Sequence, residues 1–372
     1  MAIVNAIKFD HYSGAMISDE EYWFLRRRRS YFSDCIHPLL CDEISDKYNL
    51  EAVYGGTGYP QFHFEVVDKA RKRLKGLKPG DVAKGTKNVP FDSVENIGKI
   101  TLEIIHQVAQ NYVNNHLKFV YGFTIDDFNR GYFTDNEQKY EIKQDVVKDN
   151  VKKIINGSAK DPLKTKVFDN RGILMGYDQE FGFMLFYYDI EKLVMAFTSG
   201  GYEAIGSGKY ASGMTFADLT RKKLLKERRV GFGKVEGLIE LIMSAVASEK
   251  YYHEVGGYFP IVILDGKGKK HSDRLIELND DRAKLSAEIV FSYRERQINR
   301  GDVNYLIDNL IFQNMPLDDA EEEMFKRSKN SKELEYRLRG YKFEDGLTSI
   351  EDNKEVKSAK TSKAAKKGSD SK

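Results

Sequence analysis

The stretch "GGYEAIGSGKYASGMTFADL", Gly200 to Leu219, decides how the chain is read. A short glycine-rich turn ahead of a helix either cradles a phosphate or brings backbone close to a reactive centre. A phosphate loop of the Walker kind needs G-x-x-x-x-G-K followed by Ser or Thr. Here Lys209 is followed by Tyr210, and the spacing is wrong. A dinucleotide fingerprint needs G-x-G-x-x-G early in a strand–helix–strand unit. Gly206, Gly208 and Gly213 miss that spacing and follow a hairpin. Nucleotide binding is set aside and no cofactor is implied.

Outward from this stretch, strands and helices fall into groups. Upstream, "GILMGYD", "FGFMLFYYD" and "KLVMAFTS" read as strands, the first two joined by a short Gln-Glu turn. Downstream, Thr215 and Asp218 are spaced as a capping box opening a helix at "FADLTRKKLLKE". A second helix, "KVEGLIELIMSAVASEKYY", carries Val235, Leu238, Ile239, Ile242 and Val246 on one stripe, with small residues beside it for close packing. "YFPIVILDG" is a buried strand. At the start of the chain "AIVNAIKFD" and "SGAMIS" form a strand pair, "RRRRSYFSD" a third strand, and "NLEAVYGG" a strand ending in glycines. Two helices follow: one with Phe62, Val66, Val67, Ala70 and Leu74 on a single face, the other with Ile97, Ile100, Ile104, Ile105 and Val108, N-capped by Asp92. Strands, two helices, strands, two helices and a strand suit an α+β layered sandwich better than an alternating doubly wound sheet. Residues 121–170 read as an insertion with one helix near "KQDVVKDNVKKII", residues 266–345 as a charged helical extension, and 346–372 as a solvated lysine-rich tail.

These pieces, in this order, resemble proteasome β-subunits and their bacterial peptidase homologues over residues 2–120 and 171–265. "AIGSGKYA" matches the family's Gly-Ser-Gly turn at Gly206, Ser207 and Gly208. The opening strand pair ends at an acidic position represented by Asp19. The resemblance implies the four-layer αββα fold of N-terminal-nucleophile hydrolases and assembly into rings or other symmetric oligomers.

It also implies a catalytic set: an N-terminal threonine whose free amine is its own base, a lysine that lowers the relevant pKa values, an acid that holds the lysine, and backbone amides at the Gly-Ser-Gly turn for the oxyanion. The aligned first residue here is Ala2, which has no nucleophilic atom. The window Tyr31–Ser45, where the lysine is expected, contains neither Lys nor Arg. The later Asp and Ser of the family align with Tyr252 and Val255. The resemblance therefore leads to a fold without its usual activity: a structural subunit of a homo-oligomer. The rival is an active hydrolase of the same fold using Ser207, His37, Cys35 or Cys41.

Other candidates have blander readings. Cys35, His37 and Cys41 with His63 match no common zinc signature and read as ordinary core residues, so no metal is called. Cleavage exposing Ser13 would delete the first strand. Arg26, Arg27, Arg28 and Arg29 read as a strand or an oligomer interface, because 59 basic residues nearly cancel 57 acidic ones. Nucleic acid binding through that run and the tail is the third and weakest reading. Tyr187, Tyr188, Tyr251 and Tyr252 read as packing residues. Two cysteines in 372 residues and no leader-like N-terminus lead to an expectation of a reducing cytoplasm and no membrane.

Overall fold

The computed structural model describes residues 3–19, 22–24, 27–30, 35–75, 93–135, 137–159, 163–227, 231–256, 259–278 and 281–338. The chain opens with strands β1 (Ile3–Lys8) and β2 (Ser13–Ser18), a small hairpin β3 (Tyr22–Phe24) and β4 (Arg27–Ser30), then β5 (Ile36–Pro38), helix α1 (Asp42–Tyr48) and β6 (Glu51–Thr57). Helices α2 (Pro60–Leu74) and α3 (Val94–Tyr121) follow, then a segment with α4 (Ile125–Arg130), the hairpin β7 (Tyr132–Asp135) and β8 (Gln138–Glu141), and α5 (Asp145–Ile155). Strands return as β9 (Arg171–Asp178), β10 (Gly182–Asp189), β11 (Val194–Phe197) and β12 (Tyr202–Gly206), followed by α6 (Lys209–Glu227) and α7 (Lys234–Tyr251). The described chain closes with β13 (Ile261–Asp265), α8 (His271–Arg274), β14 (Leu275–Leu278), α9 (Asp281–Arg294), α10 (Arg300–Ile307), α11 (Leu317–Arg327) and α12 (Ser331–Arg337).

Two five-stranded antiparallel sheets result, ordered β12-β1-β2-β13-β14 and β11-β10-β9-β6-β5. Their stacking is written in the period-2 alternation of each strand. On β1, Ile3 and Ile7 join an apolar cluster with α6, α7 and α9, whereas Val4 and Ala6 join a cluster shared by both sheets. On β13, Ile261 and Ile263 face the helices while Val262 and Leu264 face the other sheet. In the second sheet Ala52, Tyr54, Leu174, Phe186 and Tyr188 meet α2 and α3, and Val53, Ile173, Met175, Phe183 and Leu185 point between the sheets. The order is helix, sheet, sheet, helix: the four-layer sandwich that the family resemblance implies.

Close approach fixes Gly14 between the sheets. A Cβ there would lie 2.2 Å from the Phe183 ring and 2.5 Å from the Ile7 carbonyl oxygen.

Several local expectations are corrected. Helix α6 begins at Lys209, six residues before Thr215, whose hydroxyl donates to the Ala211 carbonyl at 3.0 Å from inside the helix. The capping-box spacing of Thr215 and Asp218 does not start the helix: Ser212, already in its first turns, is anchored by buried hydrogen bonds to Asn5 and Ser248. The cap of α3 is Ser93, whose Oγ accepts from the Asn96 amide, one residue beyond Asp92, which lies outside the described residues. The β9–β10 turn spans three residues, Gln179 to Phe181, because Gly182 closes it at φ 75°. Arg27, Arg28 and Arg29 lie on β4; Arg26 is outside the described residues. The region after Asp265 is mainly helical but also contributes β14, which pairs with β13. The segment after Tyr121 holds the expected helix, α5, and the additional hairpin β7–β8. The tail 346–372 lies outside the described residues.

Candidate functional site

The Gly206-Ser207-Gly208 turn joins the edge strand β12 to α6. Gly206 takes φ 93°, a region that L side chains avoid. Gly208 is needed for another reason: a Cβ there would sit 2.5 Å from the Ser248 Cβ and 2.8 Å from the Ile3 Cγ2. The turn is pinned by a buried polar network. Asn5 Nδ2 donates to Ser212 Oγ and to Ser244 Oγ, both at 2.8 Å; Ser212 and Ser248 share a hydrogen bond of 2.7 Å; and Ser248 Oγ donates to the Gly208 carbonyl at 2.9 Å. Small serines on α7 therefore let the helix pack against the turn and hydrogen-bond it.

Beside the turn lies a cleft of about 420 Å³ bounded by Thr57, Gly58, Arg171, Tyr187, Glu203 and Ser207. Burial pushes the Glu203 carboxyl up from its ordinary range, against hydrogen bonds from the Ala204 amide and Thr198. Arg171 is held by Glu191 at 3.2 Å and Asp189 at 3.7 Å. Ser207 Oγ donates to Glu254 Oε2 at 2.9 Å. Glu254 sits in "YYHEVGG", one residue before Val255, and sequence reasoning missed it because it occupies neither family position.

Asp19 is wholly buried, and its Oδ1 accepts the Ile3 amide at 2.8 Å. Ile3 itself pairs with Gly206. Asp19 thus fastens the first described residue of β1 next to the turn. Among the described residues no Lys, Arg or His side chain lies within ion-pair distance of it. Burial raises its pKa well above the ordinary carboxylate value, with the Ile3 and Gly256 amides pulling the other way. A carboxyl whose folded pKa is raised contributes most below its unfolded value and loses that contribution as pH rises through the folded one. Asp19→Asn retains the acceptor and removes the ionisation. Its melting temperature at pH 7 is expected to equal or exceed the parent's, with the advantage vanishing near pH 3; a clear loss of stability at pH 7 would mean that the ionised carboxylate has a partner.

The remaining sequence candidates separate. Ala2 lies outside the described residues. Val255 is buried in the apolar cluster beneath the first sheet, with Tyr252 packed beside it. The β5 segment in the lysine window presents Ile36, His37 and Pro38, and the His37 ring lies 5.6 Å from that of Phe64. Cys35 is buried, and Cys41 is exposed ahead of α1. His63 is buried, with Nδ1 2.9 Å from the Tyr54 hydroxyl and Nε2 3.0 Å from the Thr57 carbonyl. Because the carbonyl only accepts, Nε2 carries the proton and Nδ1 accepts from Tyr54. Among the described residues no three His, Cys, Asp or Glu side chains converge to hold a metal ion. Ser13 is buried at the start of β2 and donates to Asp10. Tyr188 is buried, Tyr187 lines the cleft and Tyr251 is exposed. No described helix is long and apolar enough to cross a membrane.

No family model matches the chain, and no curated protein matches it in sequence. In structure it is similar to Anbu, the ancestral beta-subunit, from Yersinia bercovieri (TM-score 0.47, 11% identity, 84% of this chain and 98% of that one). It is also similar to an Anbu (Gly-1) mutant from Hyphomicrobium sp. strain MC1 (0.46, 11%, 80% and 96%) and to Anbu from the helical assembly of the Anbu complex of Pseudomonas aeruginosa (0.48, 11%, 84% and 97%). A helix–sheet–sheet–helix sandwich whose Gly-Ser-Gly turn abuts the start of its first strand is the arrangement that the resemblance to proteasome β-subunits implies.

Proposed function

We propose that this chain is a non-catalytic proteasome-like subunit with a structural role in a self-assembling oligomer. The observation that supports this reading is the fate of the acidic position. In the resembled family that acid holds a lysine; here Asp19 is turned to the Ile3 amide, buried and shifted toward its neutral form. Residues 31–45 supply no lysine for it to hold. Tyr252 and Val255 extend the pattern, since both serve apolar packing where the family has a polar pair. In this reading the 121–170 insertion, the arginine run on β4 and the helices after Asp265 shape subunit contacts.

One observation favours a rival. The Ser207 hydroxyl donates to a carboxylate at the edge of a cleft, as a base-activated alcohol would. Incubation with fluorogenic peptides, an epoxyketone and a fluorophosphonate separates the two. The structural reading expects no turnover and no adduct by intact mass spectrometry. A stoichiometric adduct on Ser207, abolished in Ser207→Ala, would establish the hydrolase instead.

A further inference from the structure

The apolar layer between the two sheets is interrupted at one corner. On β2, Ser18 follows Met16 at the two-residue spacing that puts both on the inter-sheet side. Its hydroxyl is buried and has no hydrogen-bond partner among the described residues. On β14, Glu277 pairs with Val262 of the same inter-sheet cluster, so its side chain leaves the sheet on that side too. Both residues line a cavity of about 290 Å³ between the edge strand β5 and strands β13 and β14, walled by Ile36, Pro38, Pro260 and Val262. Arg71 of α2 lines it as well, held against β5 by its Nε, which donates to the Pro38 carbonyl at 2.8 Å. Arg71 and Glu277 are both exposed, and both also line a second cavity that runs along α1 to His271. They therefore stand where the two cavities meet. Among the described residues neither forms an ion pair, with the other or with any third group.

We propose that this corner binds a free α-amino acid with a polar-tipped side chain. Its carboxylate pairs with Arg71, its ammonium pairs with Glu277, and the side chain runs between apolar walls to the Ser18 hydroxyl. A guanidinium matches a carboxylate in shape and charge. Two opposite charges at one mouth, too far apart to pair, leave room for a molecule that carries both. A simple anion would be opposed by Glu277 and a simple amine by Arg71, whereas a zwitterion satisfies the two together. At the inner end, a buried hydroxyl without a partner is costly, and since it can both donate and accept, an alcohol or amide tip meets it. The cavity shares no lining residue with the cleft beside the Gly206–Gly208 turn, so the proposal is independent of what that cleft does.

Calorimetric titration and thermal shift of the full chain with L-threonine and L-asparagine test this. At least one of the two is expected to bind saturably, and better than its apolar isostere, valine or leucine. The matching amine without the carboxylate, and the matching acid without the ammonium, are each expected to bind about tenfold or more weakly, as are the amino acids to Arg71→Gln and to Glu277→Gln. Both substitutions lie at exposed positions and leave the melting temperature unchanged. Ser18→Ala removes an unpaired buried hydroxyl, so it is expected to melt no lower than the parent while losing the preference for the polar tip over the isostere. Absence of binding by both amino acids at about 10 mM, weaker than any useful small-ligand affinity, overturns the proposal. So does binding that is unchanged in Arg71→Gln and Glu277→Gln, or that the bare acid or bare amine reproduces in full.

Discussion

Replacing Arg274 with alanine is expected to destabilise the fold by about 3–5 kcal/mol. This guanidinium is fully buried between the edges of the two sheets. Its Nε donates to Glu51 Oε1 at 2.9 Å, and Nη2 donates to Ser45 Oγ at 2.9 Å and Asp46 Oδ1 at 3.1 Å. Nη1 donates to the Lys269 carbonyl at 3.1 Å, and His271 Nδ1 lies 3.0 Å from Glu51 Oε2. Glu51 opens β6 of the second sheet, and Arg274 immediately precedes β14 of the first, so the cluster ties the sheets together along one side of the sandwich. Removing the arginine alone leaves the Glu51 carboxylate buried without its main counter-charge, and that uncompensated charge is the source of the cost. Arg274→Met combined with Glu51→Leu is expected to cost less than Arg274→Ala, because no fully buried charge is then left behind, Asp46 being half exposed. Urea unfolding of the three proteins measures this. A single variant within about 1 kcal/mol of the parent, the usual scale of a surface ion pair, would show the cluster to be solvated rather than buried.

The second large effect is a loss of stability in acid centred on His63. Burial lowers the imidazole from an ordinary 6.5 to about 4, outweighing the Thr57 carbonyl, which pulls upward. A base whose folded pKa is depressed contributes fully above its unfolded value, and that contribution is lost as pH falls through the folded one. The window here runs from pH 6.5 down to about 4 and corresponds to about 3 kcal/mol. His63→Gln offers the same acceptor to Tyr54 and the same donor to Thr57 without titrating. The difference in unfolding free energy between parent and variant is expected to move against the parent by that amount across the window. A flat difference, or an imidazole that protonates near pH 6 by NMR, would rule this out. His63 also explains why Gly56 is glycine: a Cβ there would lie 2.2 Å from the ring nitrogen Nδ1.

Much of the architecture was legible in the sequence because it rests on local periodicity. Near-continuous apolar runs at Ile3–Lys8 and Ile261–Asp265 mark strands covered on both faces, and the single-face stripes of α2, α3 and α7 state which side of each helix must be buried. The glycine turn at Gly206–Gly208 and its place ahead of a helix pair were equally plain. Element ends were less so: α6 starts six residues before Thr215, at Lys209, and the cap of α3 is Ser93 rather than Asp92.

The sequence by itself determined the apolar pattern of each element and the absence of basic residues from the Tyr31–Ser45 window, and with the order of elements the expectation of a layered α+β sandwich. Only the tertiary structure decided which polar groups meet. Ser207 and Glu254 are 47 residues apart, Asn5 and Ser244 239 apart, and Glu51 and Arg274 223 apart. No periodicity links such residues, because a hydrogen bond depends on where two elements come to rest after their apolar faces have packed.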